Sequence, residues 1–132
     1  RMTNREIYEA ALSHLAQVRE DACEDYEERA PYLLAAFVNE CRGMDAFYSA
    51  AHGRTARQDR TVILLDLDEN FPLDDRFCHA AAFYVAALLV EVEDEELSDR
   101  LFARYADAVS RIANEETPAG IGQVRDVYRF VC

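Results

Sequence analysis

Residues 71–94, FPLDDRFCHAAAFYVAALLVEVED, decide how the rest of the chain is arranged. From Phe77 to Val90 there is no charged residue, and His79 is the one strongly polar side chain. The run is too short to span a bilayer, which takes about 20 apolar residues. Its alanines, Ala80, Ala81, Ala82, Ala86 and Ala87, favour helix over strand. Pro72 suits a first helical turn, and Asp74 and Asp75 suit the positive end of a helix dipole. The pattern therefore predicts a helix over residues 73–92. A helix apolar on nearly every side must be covered on nearly every side. It becomes the centre of a mainly α four-helix bundle, walled by the other helices and by a neighbouring copy.

The flanking sequence supplies the walls. Thr3 with Glu6 is a capping-box pattern that opens a first helix over 4–19, with Ile7, Ala11, Leu15 and Val18 at helical spacing. Residues 20–28 are acidic and weakly periodic, which reads as a loop. A second helix over 31–51 places Pro31 in its first turn and Leu34, Phe37, Val38, Cys41, Met44, Phe47 and Tyr48 on one stripe. Gly43 inside it points to close packing or a bend. Residues 61–68, TVILLDLD, alternate and read as a short strand or extended segment with Ile63, Leu65 and Leu67 buried. Asp94 caps a fourth helix over 95–114, carrying Leu97, Leu101, Tyr105 and Ile112. The expected core is Phe77, Ala81, Tyr84 and Leu88 with Leu34, Phe37, Leu101, Tyr105 and Ile112. After a loop at 117–122, residues 118–132 form a loop and C-terminal strand or arm.

At 132 residues the chain reads as one domain with a real core. The four cysteines, Cys23, Cys41, Cys78 and Cys132, include no CxxC pair, and Cys41 and Cys78 fall on apolar faces. A reduced, intracellular setting fits them. The net charge is −12, and all 14 basic residues are arginine. Acidic clusters at 20–28, 66–75 and 91–99 repel phosphates, which argues against a sequence-reading nucleic-acid binder. A protein that lets DNA pass without gripping it wants this sign of charge.

Motifs that carry chemistry are scarce. Asp66, Asp68 and Asn70 match the first ligands of a calcium loop, but Phe71 holds the glycine position and Phe77 the bidentate-glutamate position. A strand end running into a helix cap is the better reading. His79 lies one turn after Asp75, an arrangement expected of a core or interface histidine satisfied by that aspartate. Glu24 with Glu27 and Glu96 with Asp99 place carboxylates at i and i+3, the arrangement by which all-α nucleotide pyrophosphohydrolases hold Mg²⁺. With 26 acidic residues such pairs also arise by chance. No base–nucleophile pair or complete ligand set is present, so no catalytic residue, cofactor or metal is expected. The candidate interface residues are Arg54, Arg57 and Arg60 in a polar loop, and Val124, Val127, Tyr128 and Phe130 on the terminal arm. Arg54, Arg57 and Arg60 suit an acidic edge of an adjacent subunit, and apolar side chains on an arm need a neighbour to cover them.

Several segments occur in a characteristic order: TNREIYEAAL, DYEERAPYLLAAF, LDLDENFPLDDRF, AAFYVAALLVEVEDEELSDRLFARYADAV and RDVY. Together they resemble the head–tail connector (adaptor, neck) proteins of tailed phages and prophages, over nearly the whole chain. The resemblance implies a helical bundle that assembles as a ring below the portal and lines the DNA channel. Its partners would be the portal protein, adjacent neck and tail proteins and further copies of itself. DNA would pass without sequence-specific binding, and no membrane would be involved. The location implied is the virion neck, with the host bacterial cytoplasm during assembly. The competing classes are a Mg-dependent nucleotide pyrophosphohydrolase and a small cytosolic protein-interaction module.

Overall fold

The computed structural model describes residues 1–16, 24–51, 53 and 61–116. Its helices are α1 (Asn4–His14), α2 (Glu24–Ala51), α3 (Cys78–Val90) and α4 (Glu95–Glu116). The mainly α expectation holds, and α3 packs against each of the other three helices. Ten of its side chains are buried, among them Ala80, Ala81, Val85, Ala86 and Ala87 at 0% exposure. Small alanine side chains let neighbouring backbones approach on several sides, so the helix with no polar face sits at the centre.

The ends of α3 differ from the expected 73–92. A 3₁₀ turn, Asp75–Phe77, precedes it, and Asp74 Oδ1 accepts the Arg76 N–H at 3.1 Å. Pro72 therefore lies before the cap rather than in the first turn. At the other end a turn follows Val90, whose carbonyl accepts from Glu93 N at 3.0 Å and Asp94 N at 2.9 Å. The remaining terminal carbonyls have partners as well. Arg29 donates to Leu88 O at 3.0 Å and Leu89 O at 3.5 Å, and the buried Ser98 Oγ donates to Ala87 O at 2.9 Å. Those are the four carbonyls that a helix cannot satisfy within itself.

Helix α1 starts with the expected box. Thr3 Oγ1 accepts Glu6 N–H at 3.2 Å, and Glu6 Oε1 accepts Thr3 N–H at 2.8 Å. It stops at His14 rather than Arg19 because Ala16 takes a left-handed backbone, with φ of 56°. Glycine usually fills such a position, so the sequence gives no stop signal there. Helix α2 begins at Glu24, seven residues before the expected start, and Pro31 lies inside it. Tyr26 and Ala30, both at 0% exposure, bury the first turns, and that packing outweighs the one N–H that Pro31 withholds. Asp94 caps α4 as expected, accepting the Leu97 N–H at 3.0 Å.

Residues 61–68 form no strand: the segment bends at Ile63 and turns at Leu67 and Asp68. Their only relation to β structure nearby is an isolated bridge between Thr3 and Asn70. Leu67 is buried, but Ile63 is 76% exposed, so one predicted face is buried only at its end. The segment straps along α2. Asn39 grips Val62 through Nδ2 to the carbonyl at 2.6 Å and Oδ1 to the N–H at 2.9 Å, and Leu65 N–H reaches Pro31 O at 3.3 Å.

The core joins α2, α3 and α4 through Phe37, Tyr84 and Tyr105. The Tyr84–Tyr105 ring centroids are 5.1 Å apart, and Phe37 lies 5.7 Å from Tyr84. All expected core residues are buried except Leu88, which is half-buried. No helix among the described residues is long and apolar enough to cross a membrane.

Two stability predictions follow from burial and backbone conformation. Leu89, 1% exposed, should lose about 2–5 kcal/mol on Leu89→Ala, and Leu88→Ala should lose less, as read by urea unfolding. Equal losses at the two positions would contradict this packing. Gly43 is helical with open space where a Cβ would stand, so it does not mark the close packing expected of it. Gly43→Ala should add about 0.4–1 kcal/mol, and Ala16→Gly should gain by relieving the left-handed strain. A lower melting temperature in either variant would disprove its assignment.

Candidate functional site

Parts of the three acidic clusters, far apart in sequence, are brought together by long-range contacts. Two side chains make the junction. Tyr26 on α2 is fully buried, and its hydroxyl donates to Glu93 in the α3–α4 turn. Arg5 on α1 stands between Glu27, at 3.6 Å, and Asp68, at 3.0 Å. Around these contacts Asp25, Glu27, Glu28, Asp66, Asp68, Glu69, Glu91, Glu93, Asp94, Glu95, Glu96 and Asp99 are all exposed. The result is an acidic pole assembled from α2, the strap turn and the α3–α4 turn.

Local chemistry explains each contribution. Asp66 folds the strap turn: Oδ1 accepts Asp68 N–H at 2.8 Å, and its carbonyl accepts Asn4 Nδ2 at 2.7 Å. Those contacts make this stretch a hydrogen-bonded turn, not the strand end running into a helix cap that the sequence predicts. The hydrogen bond and ion pair to Asp68 hold the Arg5 guanidinium charged, its pKa raised further above the ordinary value, with Glu27 adding to the effect. Arg29 lies 3.5 Å from Asp25 as it caps α3. Its cation serves a helix C-terminus surrounded by acids.

The remaining candidates disperse. His79 is exposed, and no hydrogen bond joins it to the exposed Asp75, so the expected satisfied pair is corrected. Position 79 points away from the centre because α3 has one flank left uncovered there. His14 stacks on Phe83 with centroids 4.5 Å apart. Burial lowers its pKa, and the charges of Arg104 and His79 add to the effect. Cys41 and Cys78 are buried free thiols, as their apolar positions predict. Burial, with Asp75 and Asp74 nearby, pushes the Cys78 thiol up to about 11, so it is protonated at neutral pH.

Among the described residues, no group of three or more His, Cys, Asp or Glu side chains is placed to hold a metal ion. Glu27 faces Arg5, while Glu96 and Asp99 are open to solvent on α4. Arg54, Arg57, Arg60, Val124, Val127, Tyr128 and Phe130 lie outside the described residues. Sequence reasoning missed Arg5, Tyr26 and Arg29. Their partners are long-range, 63 residues away for Arg5 to Asp68, so no local pattern signals them.

Like charges gathered at one pole repel, and salt relieves that repulsion. The Debye length falls from about 30 Å at 0.01 M to about 8 Å at 0.15 M salt. The melting temperature should therefore rise over that range, and calorimetry showing a fall would contradict a repulsive pole. The chain matches no protein-family model, no curated protein and no solved structure.

Proposed function

We propose that this chain is a structural virion protein of a tailed phage or prophage, a head–tail connector rather than an enzyme. Copies form a ring below the portal, adjacent neck and tail proteins dock on it, and DNA passes through the channel. The observation that carries this reading is the acidic pole. Three separate segments bring carboxylates together around the contacts of Tyr26 and Arg5, and the arginines at those contacts, Arg5 and Arg29, are engaged. Such a surface repels the phosphate backbone at close range, which lets a duplex slide without being held. The ordered resemblance of the sequence segments to connector proteins supports the same reading.

The test mixes the full chain with the portal protein of its own phage and looks for co-migration and rings by electron microscopy. A ring stacked on the portal is the expected result, and a full chain that never binds portal overturns the proposal. A second arm replaces the exposed Glu91, Glu95 and Glu96 by lysine, which reverses part of the pole without touching the core. The wild type should leave duplex DNA unretarded at physiological salt, and the variant should retard it. Mg²⁺-dependent turnover of nucleoside triphosphates that Glu96→Gln abolishes would replace the connector reading with that of a hydrolase.

A further inference from the structure

The strap leaves an apolar strip open beside α2. Between its two pins, Asn39 and Pro31, Ile63 is 76% and Leu64 54% exposed. Among the described residues, no hydrogen bond engages the backbone of Ile63 or Leu64. Alongside, the outward face of α2 carries Tyr32 at 54% and Phe47 at 53% exposure, with open space over Gly43 between them. Intervals of 11 and 4 residues keep those three positions on one side of the helix. At the Pro31 end the strip runs into the exposed carboxylates of Asp66 and Asp68.

The other end of the strip lies close to where α4 finishes. Glu115 reaches Arg76 at 3.4 Å, and the neighbouring Asp74 donates its N–H to Asp45 on α2 at 3.0 Å. Asp45 stands about 9 Å along α2 from Asn39, at 1.5 Å per residue. Beyond α4 the sequence continues through Pro118, Gly120 and Gly122 to VRDVYRFV at 124–131. Residues 117–122 can span up to about 20 Å when extended. The stretch beyond them holds Val124, Val127, Tyr128, Phe130 and Val131, interleaved with Arg125 and Arg129.

We propose that residues 123–131 dock on this strip in their own chain, alongside the unengaged backbone of Ile63 and Leu64. Apolar side chains meet Ile63, Leu64, Tyr32 and Phe47, and the direction of travel carries Arg129 toward Asp66 and Asp68. Exposed apolar side chains beside unengaged backbone groups make a surface that takes up another segment, with main-chain bonds adding to the apolar contact. Charge complementarity favours this occupant. The protein is acidic overall, and this segment is one of its few stretches with more arginine than acid. Intramolecular tethering raises the local concentration to about the millimolar range, which favours the chain's own segment over a free partner. The inference does not depend on the connector reading.

Hydrogen exchange tests it on the full chain and on a chain ending at Gly122. In the shortened chain the amides of Ile63 and Leu64 should exchange at least about tenfold faster, with helical circular dichroism unchanged. Leu64→Asp in the full chain, a change at an exposed position, should produce the same acceleration and hasten tryptic cleavage at Arg125 and Arg129. This variant decides the matter if the shortened chain fails to fold. Equal exchange in full-length, shortened and Leu64→Asp proteins overturns the proposal. Protection that grows with protein concentration overturns it too, because the contact then belongs to a neighbouring copy.

Discussion

The molecule is built around one demand, that the carbonyls at the end of a largely buried helix be satisfied. Helix α3 offers no polar face, and its last four carbonyls cannot pair within the helix. An unpaired backbone group buried there costs about 1–3 kcal/mol. Three separate elements supply the donors: Arg29 from α2, Ser98 from α4, and the N–H groups of Glu93 and Asp94 in the turn. The positions of those elements are therefore fixed relative to one another, not only by apolar contact but by direction.

That demand accounts for the early start of α2. Were the helix to begin at Pro31, Arg29 and Tyr26 would fall in a loop with no fixed reach to α3. Starting at Glu24 sets Tyr26 under Glu93 and Arg29 under Leu88, at the expense of the hydrogen bond that Pro31 cannot donate. The acidic pole is a by-product of the same geometry. The α2 start and the α3–α4 turn must adjoin for the capping to work, and both are rich in carboxylates. A cation at the negative end of α3 is favourable by itself, and amid those acids it also relieves local repulsion.

Much of the architecture was legible because hydrophobic period is a local signal. The unbroken apolar run from Phe77 to Val90 identified the central helix, and the Thr3–Glu6 and Asp94 caps placed two helix starts correctly. Boundaries failed where tertiary contacts overruled local rules. Ala16 holds a left-handed turn with a residue that does not announce one, and Pro31 sits within a helix that its neighbours bury. Leu88 followed the same pattern as Leu89 but faces the edge of the packing. For the candidate site, the acidic clusters were visible singly, whereas their convergence was not. It rests on Arg5 and Tyr26, whose partners lie 63 and 67 residues away.

The strap illustrates how a strand-like sequence can lack a strand. Thr61, Val62 and Ile63 are β-branched and favour extended backbone, but the segment bends at Ile63 and joins no ladder. A ladder needs a second strand, and the nearest partners are helices. The polar groups of the strap therefore pair with what helices expose: the carbonyl of Pro31, the side-chain amide of Asn39, and the N–H groups of Asn4 and Arg5 at the start of α1, which donate to Glu69 and Leu67. Those are the donors a helix leaves unused in its first turn. The strap thus closes the N-terminus of α1 just as Arg29 closes the C-terminus of α3. Because helices offer such partners only at their ends and through scattered side chains, the middle of the strap gets none. Its open edge at Ile63 and Leu64 follows directly from having been paired to helices rather than to a sheet.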